Sequence, residues 1–167
     1  MSIKLDPVLA DLRSWKPDGC PVTRALDVIG PHTSVLILRE AFYGTTRFDL
    51  FVERVGVTEA AAAARLRQLT EAGLLRRAPY REPGSRTRHE YLLTDKGRDL
   101  MPAVLALFQW GSAHLQPEGA PLSLVEDGSG APVRVAYVDA EGREVAPEDL
   151  RMAYNRGSRG RRGSRER

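Results

Sequence analysis

The residues of this chain that could do chemistry are a single cysteine, three histidines and a concentration of arginines. Cys20 cannot form a disulfide within the chain and has no second cysteine with which to hold zinc. His32, His89 and His114 lie far apart and show none of the short spacings typical of metal sites. Neither a phosphate-binding GxxxxGKS/T motif nor a GxSxG nucleophile motif is present. We therefore expect no metal, no cofactor and no enzymatic activity.

The arginines are concentrated in the middle and at the end of the chain. Residues 65–98 contain nine Lys or Arg against four acids, whereas residues 99–155 carry a net charge of −6. Such a basic centre indicates a polyanionic partner, as in nucleic-acid-binding proteins. The final segment, RGSRGRRGSRER at 156–167, has no apolar residue, so we expect it to be disordered. It is either a solvated tail without consequence or an arm that adds electrostatic DNA affinity.

The 167 residues leave room for one domain of usual size with appendages. The chain has no apolar run long enough to span a membrane, and its first residues carry charge where a signal peptide needs an apolar stretch. We therefore expect a cytoplasmic protein that has no membrane partner.

Hydrophobic spacing and capping residues predict a series of helices, then a hairpin, then a last helix. Thr58 is a suitable N-cap and Gly73 a suitable end for the longest early helix, and Thr94 is a suitable cap for the last one, which Pro102 should bend. Strand-forming stretches on either side of the turn at 83–85 predict the hairpin. The predicted helices span 7–15, 22–29, 33–43, 47–54, 59–72 and 95–115.

This order of elements is that of a winged helix-turn-helix domain, because two helices joined by a short glycine-containing turn precede a β-hairpin. The fold class is therefore α+β, mainly α, with a small β-rich C-terminal extension. We divide the chain into four segments: a helical arm at 1–17, the winged helix-turn-helix domain at 18–115, the extension at 116–155 and the basic tail at 156–167.

Several motifs occur in a fixed order within the winged-helix segment: Cys20-Pro21, ALDVIG at 25–30, LILRE at 36–40, Arg47-Phe48, RLRQLTEAGLL at 65–75, EYLLTDKGRDL at 90–100 and Trp110-Gly111. In these motifs the chain resembles the HxlR-type winged-helix regulators, which are related to the MarR group. The resemblance implies a homodimeric bacterial transcription factor that places one helix of each subunit in the major groove of double-stranded DNA.

If so, helical geometry predicts the residues that face the groove. With Ala62, Leu66 and Leu69 directed inward, at about 100° per residue, the opposite face is formed by Ala60, Ala64 and Arg67, flanked by Ala63 and preceded by Thr58. Alanine can contact only a thymine methyl group, so Arg67 is the best candidate for contacting a base. Alternatively, the run of five alanines merely provides helix propensity and little specificity.

Further arginines lie on or near the hairpin, where they could contact phosphates or enter the minor groove. The alternative is a solvated wing whose arginines pair with Glu82 and Glu90. The arginines expected to contact DNA are Arg47, Arg76, Arg77, Arg81, Arg86 and Arg88.

The resemblance also implies a role for Cys20, because several HxlR-like proteins sense oxidants or electrophiles through a cysteine at this position. The start of a helix lowers the pKa of a thiol, which favours such reactivity; the alternative is an inert, half-buried thiol. The signal could instead be a small-molecule effector. The chain departs from the family at 31–34, where PHTS stands in place of a stretch that often contains tryptophan.

We expect a homodimeric repressor of a near-palindromic operator, with recognition helices about 34 Å apart. The apolar residues expected at the subunit interface are Leu9, Leu12, Trp15, Leu107, Trp110 and Leu115. Two alternatives remain: a protein-interaction module that does not recognise a DNA sequence, and a non-specific nucleic-acid binder that acts through its arginine-rich tail.

The extension is expected to form a small sheet from LSLVE at 122–126 and VRVAYV at 133–138, followed by a short helix from Pro147. Some HxlR-like chains end in a cysteine-paired ribbon. The segments DGSG at 127–130 and VDAEGREV at 138–145 resemble the two knuckles of such a ribbon with every cysteine replaced.

Overall fold

The computed structural model describes residues 3–9, 11, 20–81, 84 and 86–155, and the chain divides into two compact units. The main unit is Gly19–Val135; the terminal unit combines Met1–Asp18 with Ala136–Arg167. The basic tail and part of the predicted arm, including Leu12 and Trp15, lie outside the described residues. The helices and strands are β1 (Lys4–Leu5), α1 (Pro21–Ile29), α2 (His32–Phe42), α3 (Phe48–Val55), α4 (Glu59–Glu71), β2 (Leu75–Tyr80), β3 (Arg88–Leu93), α5 (Asp95–Arg98), α6 (Met101–Leu115) and β4 (Arg151–Met152).

The core of the main unit lies between α2, α3 and α4, whose apolar residues recur at helical spacing and so form one face of each helix. Phe51 on α3 is fully buried, and its ring packs nearly perpendicular to that of Tyr91 on β3, with the ring centres 6.3 Å apart. This contact joins the hairpin to the helices. The buried cluster consists of Ile37, Leu38, Ala41, Phe51, Leu66, Leu69, Leu74 and Leu75.

The turn between α3 and α4 follows from two residues. Gly56 adopts a left-handed conformation with φ +71°, which a residue with a side chain rarely adopts, and it ends α3. The Thr58 hydroxyl oxygen then accepts a hydrogen bond from the backbone N–H of Ala61 at 3.2 Å and caps α4. The predicted helix-turn-helix is confirmed.

The hairpin is antiparallel, with its register running from Leu75 opposite Leu93 to Tyr80 opposite Arg88. At its base, the Thr94 hydroxyl donates to the carbonyl of Gly73 at 2.6 Å and accepts from the N–H of Gly97 at 3.0 Å. One side chain therefore fixes the end of the hairpin to the helix that follows it. The structure is thus a winged helix-turn-helix, mainly helical, as predicted.

The prediction of one bent helix at 95–115 is wrong. The structure instead has the single turn α5 and then α6, separated by Asp99 and Leu100. Pro102 has no N–H to donate to the carbonyl of Arg98, four residues earlier, so the helix cannot continue through it. The proline lies instead in the first turn of α6, where no such donor is needed.

The predicted strands at 122–126 and 133–138 do not form. The structure has only isolated bridges there: Val125 with Pro132 in the main unit, and Val138 with Glu144 in the terminal unit. Pro132 cannot donate to a ladder, and Val125, Val133 and Val138 are all exposed, so no core holds longer strands together.

Both predicted knuckles are nevertheless tight turns. The N–H of Gly130 donates to the carbonyl of Glu126 at 2.8 Å, and that of Gly142 donates to the carbonyl of Asp139 at 3.1 Å. The predicted short helix from Pro147 is a 3-10 helix, Pro147–Asp149. In the terminal unit the described start of the predicted arm is also a 3-10 helix, Pro7–Leu9, and β1 pairs in parallel with β4, which the sequence did not predict.

Candidate nucleic-acid interface

The buried face of α4 is the one that its spacing predicts, and the opposite face follows the prediction in part. Ala62, Leu66 and Leu69 have no exposed surface. On the other side Ala60, Ala63 and Arg67 are exposed, whereas Ala64 is half-buried. Ala61 is also exposed, which the spacing did not single out. The helix therefore presents a smooth, small-residue surface to its surroundings.

Arg67 is the long basic side chain on this surface. Its guanidinium Nε lies 3.9 Å from a carboxylate oxygen of Glu71 one turn later, and both side chains are about 70% exposed. Such an exposed pair is weak and gives way readily to a stronger acceptor. Arg65, by contrast, is half-buried and donates to the side-chain oxygen of Gln68.

A polar groove of about 560 Å³ lies between the start of α3 and the hairpin. It brings together Arg77, Arg86 and Arg88 from the hairpin, with Asp49 of α3 as an acidic residue in the lining. Side chains alternate along a strand, so Arg76 points to the opposite face of β2 from Arg77. Arg76 and Arg81 are both exposed but do not line this groove.

Arg47 lies beside the hairpin, because its guanidinium carbon is 3.5 Å from the centre of the Tyr80 ring. The geometry is that of a cation–π contact. The backbone N–H of Tyr91 donates to the carbonyl of Thr46 at 2.8 Å in the same region. The segment before α3 therefore contacts both strands of the hairpin.

Several residues of the groove were not in the sequence prediction, which named only arginines on and near the hairpin. Tyr80, Thr87 and His89 line the groove along with the arginines. Pro79 is opposite His89 in the register and is two residues after Arg77 on β2. Alternation along the strands could therefore have placed His89 on the same face as Arg77. The ring of Tyr80 could be recognised only from the packed structure.

Cys20 is the N-cap residue of α1 and is half-buried. The pKa of its thiol is lowered, first by the backbone N–H of Thr23, then by that of Val22 and by the Thr23 hydroxyl. Backbone N–H groups at the start of a helix stabilise a thiolate in this way.

α1 and α6 each expose several large apolar side chains, as does the segment 122–138. α1 has no buried residue, and Val22 and Leu26 are 65% and 55% exposed. On α6, Leu107, Trp110 and Leu115 are each more than half exposed. The sequence predicted exposure on α6 but overlooked α1. Leu9, also expected at an interface, is half-buried in the terminal unit.

The described residues contain neither a membrane-spanning helix nor a metal-binding cluster. None of the helices is long and apolar enough to cross a membrane. Within the same residues, His, Cys, Asp and Glu form no group of three or more that could hold a metal ion.

Comparison with known proteins gives consistent results. The model of the HxlR-like helix-turn-helix family matches residues 28–119. An uncharacterized HTH-type transcriptional regulator of Mycobacterium tuberculosis (strain ATCC 25618 / H37Rv) is 44% identical over 112 residues, which are 66% of this chain and 70% of that protein.

Two solved structures extend the comparison. The crystal structure of PA1607, a protein classed provisionally as a transcription factor, is 42% identical with a TM-score of 0.73, covering 85% of this chain and 99% of that one. The reduced form of the redox regulator HypR is 31% identical with a TM-score of 0.52, covering 57% of this chain and 94% of that one.

Proposed function

This chain belongs to the HxlR-like helix-turn-helix family of transcriptional regulators, and from that premise we propose that it is a homodimeric repressor of a near-palindromic operator. It acts in the cytoplasm, where its DNA is, by binding and not by catalysing a reaction.

The observation that carries DNA binding is the presence of two suitable surfaces on one unit. α4 exposes a face of small residues with Arg67, and the hairpin groove gathers Arg77, Arg86 and Arg88. In this proposal α4 enters the major groove, and the hairpin arginines contact phosphates or the minor groove. Because alanines make no hydrogen bonds to bases, specificity comes from Arg67 and from DNA shape.

The exposed apolar residues of α1 and α6 support the proposed dimer. Exposed apolar residues often mark an interaction surface, and a two-fold axis would cover the same residues on both subunits. The interface proposed here uses Leu107, Trp110 and Leu115, together with Val22 and Leu26 of α1. Leu9, Leu12 and Trp15 stay a prediction from the sequence.

A redox signal is one proposed input. The lowered pKa of the Cys20 thiol supports it, as does the similarity to HypR, which is described as a redox regulator. Oxidation of Cys20 to a disulfide between subunits, or to an adduct, would then change operator affinity. A Cys20→Ser protein should bind the operator normally and lose the response to diamide.

The decisive experiment is selection of bound sequences from random DNA, followed by gel-shift titration of the selected site. A two-fold symmetric site bound far more tightly than random DNA supports the repressor. Salt-sensitive binding without sequence preference supports the interaction module instead. Loss of all binding on deletion of 156–167 supports the non-specific binder, because a repressor would lose only part of its affinity.

A further inference from the structure

A buried carboxylate lies where α2 and α3 pack together. Glu40 on α2 is 2% exposed. The Nε and Nη2 groups of Arg39 donate to one of its oxygens at 3.0 and 2.7 Å, and Nε of Arg54 on α3 donates to the other. Burying a carboxylate requires such compensation. Two arginines against one glutamate leave this charge cluster with a net charge of +1.

The same arginines have capacity for a further acceptor. A guanidinium has five N–H donors, and the bonds to Glu40 use two of those of Arg39 and one of Arg54. The two side chains are 36% and 51% exposed, so each has an outer edge that a ligand can reach. A carboxylate placed there would receive charge-assisted hydrogen bonds, which are about twice as strong as neutral ones.

These arginines line a cavity of about 460 Å³. It is also lined by Leu107, Phe108 and Gly111 of α6 and by Leu122. An adjoining cavity of about 400 Å³ shares Arg54, Phe108 and Leu122 and has mainly apolar walls. Cavities of 300–1,000 Å³ that combine apolar walls with a few polar groups are typical small-molecule sites.

We propose that this cavity binds a small molecule with one carboxylate and an apolar body. The carboxylate lies against Arg39 and Arg54, and the body lies against Phe108 and Leu122. The inference deepens the proposed function and rests on it, because the molecule would be the effector of the regulator. Arg54 is on the helix that precedes the recognition helix, and Phe108 is on the helix with the proposed dimer residues, so the site borders both.

The chemistry of the ligand is tested with the full-length protein by isothermal titration calorimetry. The probes are 2-naphthoate, its uncharged amide 2-naphthamide, and inorganic phosphate. We expect saturable binding of naphthoate, at least tenfold weaker binding of naphthamide, and no binding of phosphate at the same concentrations. Equal affinity for the acid and the amide overturns the proposal, as does equal affinity for naphthoate and phosphate, or no saturable binding of naphthoate.

Variants test whether naphthoate binds in this cavity. A Cβ added to Gly111 meets no atom within 4 Å, so Gly111→Leu should fold and extend into the cavity. It should weaken naphthoate binding at least tenfold, whereas Ala113→Leu, on an exposed part of the same helix, should change it less than twofold. Unchanged binding by Gly111→Leu overturns the site.

Two charge variants make the test independent of any packing defect. Arg54→Gln removes the net positive charge and should weaken naphthoate at least tenfold while leaving naphthamide within twofold. Glu40→Gln raises the net charge to +2 with nearly the same shape and should tighten naphthoate severalfold. The proposal is overturned if either variant affects the acid and the amide equally.

Failure of this inference can be told apart from failure of the proposed function. Operator affinity measured without any small molecule tests only the repressor. If the operator is bound tightly and naphthoate is not bound, the cavity proposal alone is rejected. If naphthoate is bound as described and no operator is found, the site stands and the repressor is rejected.

Discussion

The guanidinium carbon of Arg47 lies 3.5 Å from the centre of the Tyr80 ring, which holds the residue before α3 against the last residue of β2. The nearby hydrogen bond from the N–H of Tyr91 to the carbonyl of Thr46 joins the same two regions. The position of the hairpin relative to the helix-turn-helix is therefore supported by this side-chain stack and backbone bond, in addition to the contact between Phe51 and Tyr91. Both surfaces proposed to contact DNA depend on that position.

Replacing Tyr80 should consequently weaken operator binding even if its side chain does not contact DNA. A cation–π contact at an exposed site contributes about 0.5–1 kcal/mol, so Tyr80→Leu should lower operator affinity about two- to fivefold. Fluorescence anisotropy with labelled operator measures this affinity. Tyr80→Phe keeps the ring and should bind like the unmodified protein. If Tyr80→Leu and Tyr80→Phe change operator affinity equally, the stack does not position the hairpin.

Arg67 and Arg86 should differ in what their loss does to DNA binding. Arg67→Ala removes the proposed base contact, so it should cost about 1–3 kcal/mol on the best operator and relax preference at one position of each half-site. Selection from random DNA measures the change in preference.

Arg86→Ala should instead weaken binding to all sequences alike. Loss of one phosphate contact lowers the slope of log affinity against log salt by about 0.9. Titrations at several salt concentrations measure this slope. If Arg86→Ala changes base preference and Arg67→Ala changes only the slope, the two roles are reversed.

The exposed apolar faces of α1 and α6 predict how the dimer can be broken. Leu26→Glu or Trp110→Glu should shift the protein to monomers at micromolar concentration, because two charges would meet across a two-fold interface. Light scattering after size-exclusion chromatography measures the mass. Val133→Glu, an equally polar change at an exposed valine outside these helices, should remain dimeric. A dimeric Trp110→Glu protein would exclude α6 from the interface.

The sequence predicted well the features that depend on neighbouring residues. The burial of Ala62, Leu66 and Leu69 follows from helical spacing alone, and the cap at Thr58 follows from its own hydroxyl. The basic hairpin was also predictable, because turn formers separate its two strands.

The features that sequence reasoning missed depend on residues far apart in the chain or on competing local rules. β1 pairs with β4 across more than 140 residues, and no local pattern encodes that pairing. Pro102 was expected to bend a helix, but the chain restarts the helix around it. The part that Tyr80 plays in the candidate nucleic-acid interface could be identified only from the structure, which places the Arg47 guanidinium over its ring.

Gly97 illustrates a packing requirement that the sequence does not reveal. A Cβ at this position would lie 2.2 Å from the backbone carbonyl oxygen of Leu74, and that backbone cannot move without disturbing the hairpin. Gly97→Ala should therefore destabilise the protein by about 1–3 kcal/mol or more, as overpacking does. Urea denaturation followed by circular dichroism measures the free energy of unfolding.

The matched control for Gly97 is Gly111, a helical glycine with open space around its Cβ position. Gly111→Ala should stabilise the protein by up to about 1 kcal/mol, because alanine has the higher helix propensity. Equal effects of the two substitutions would show that the close approach at Gly97 does not constrain the fold.

The Cys20 thiol should be more reactive at neutral pH in the folded protein than in the unfolded one. The backbone N–H of Thr23 lowers its pKa in the folded state, so a larger fraction is thiolate at a given pH, and only the thiolate reacts. The rate of alkylation by iodoacetamide should therefore rise with pH through a midpoint that is lower in buffer than in urea. Because the chain has one cysteine, mass spectrometry assigns the product without ambiguity. Thr23→Val keeps the N–H and loses the hydroxyl. The alkylation midpoint of this variant in buffer should therefore lie between those of the unmodified protein in buffer and in urea. A folded-state midpoint equal to or above that in urea would remove the basis for thiol sensing at this residue.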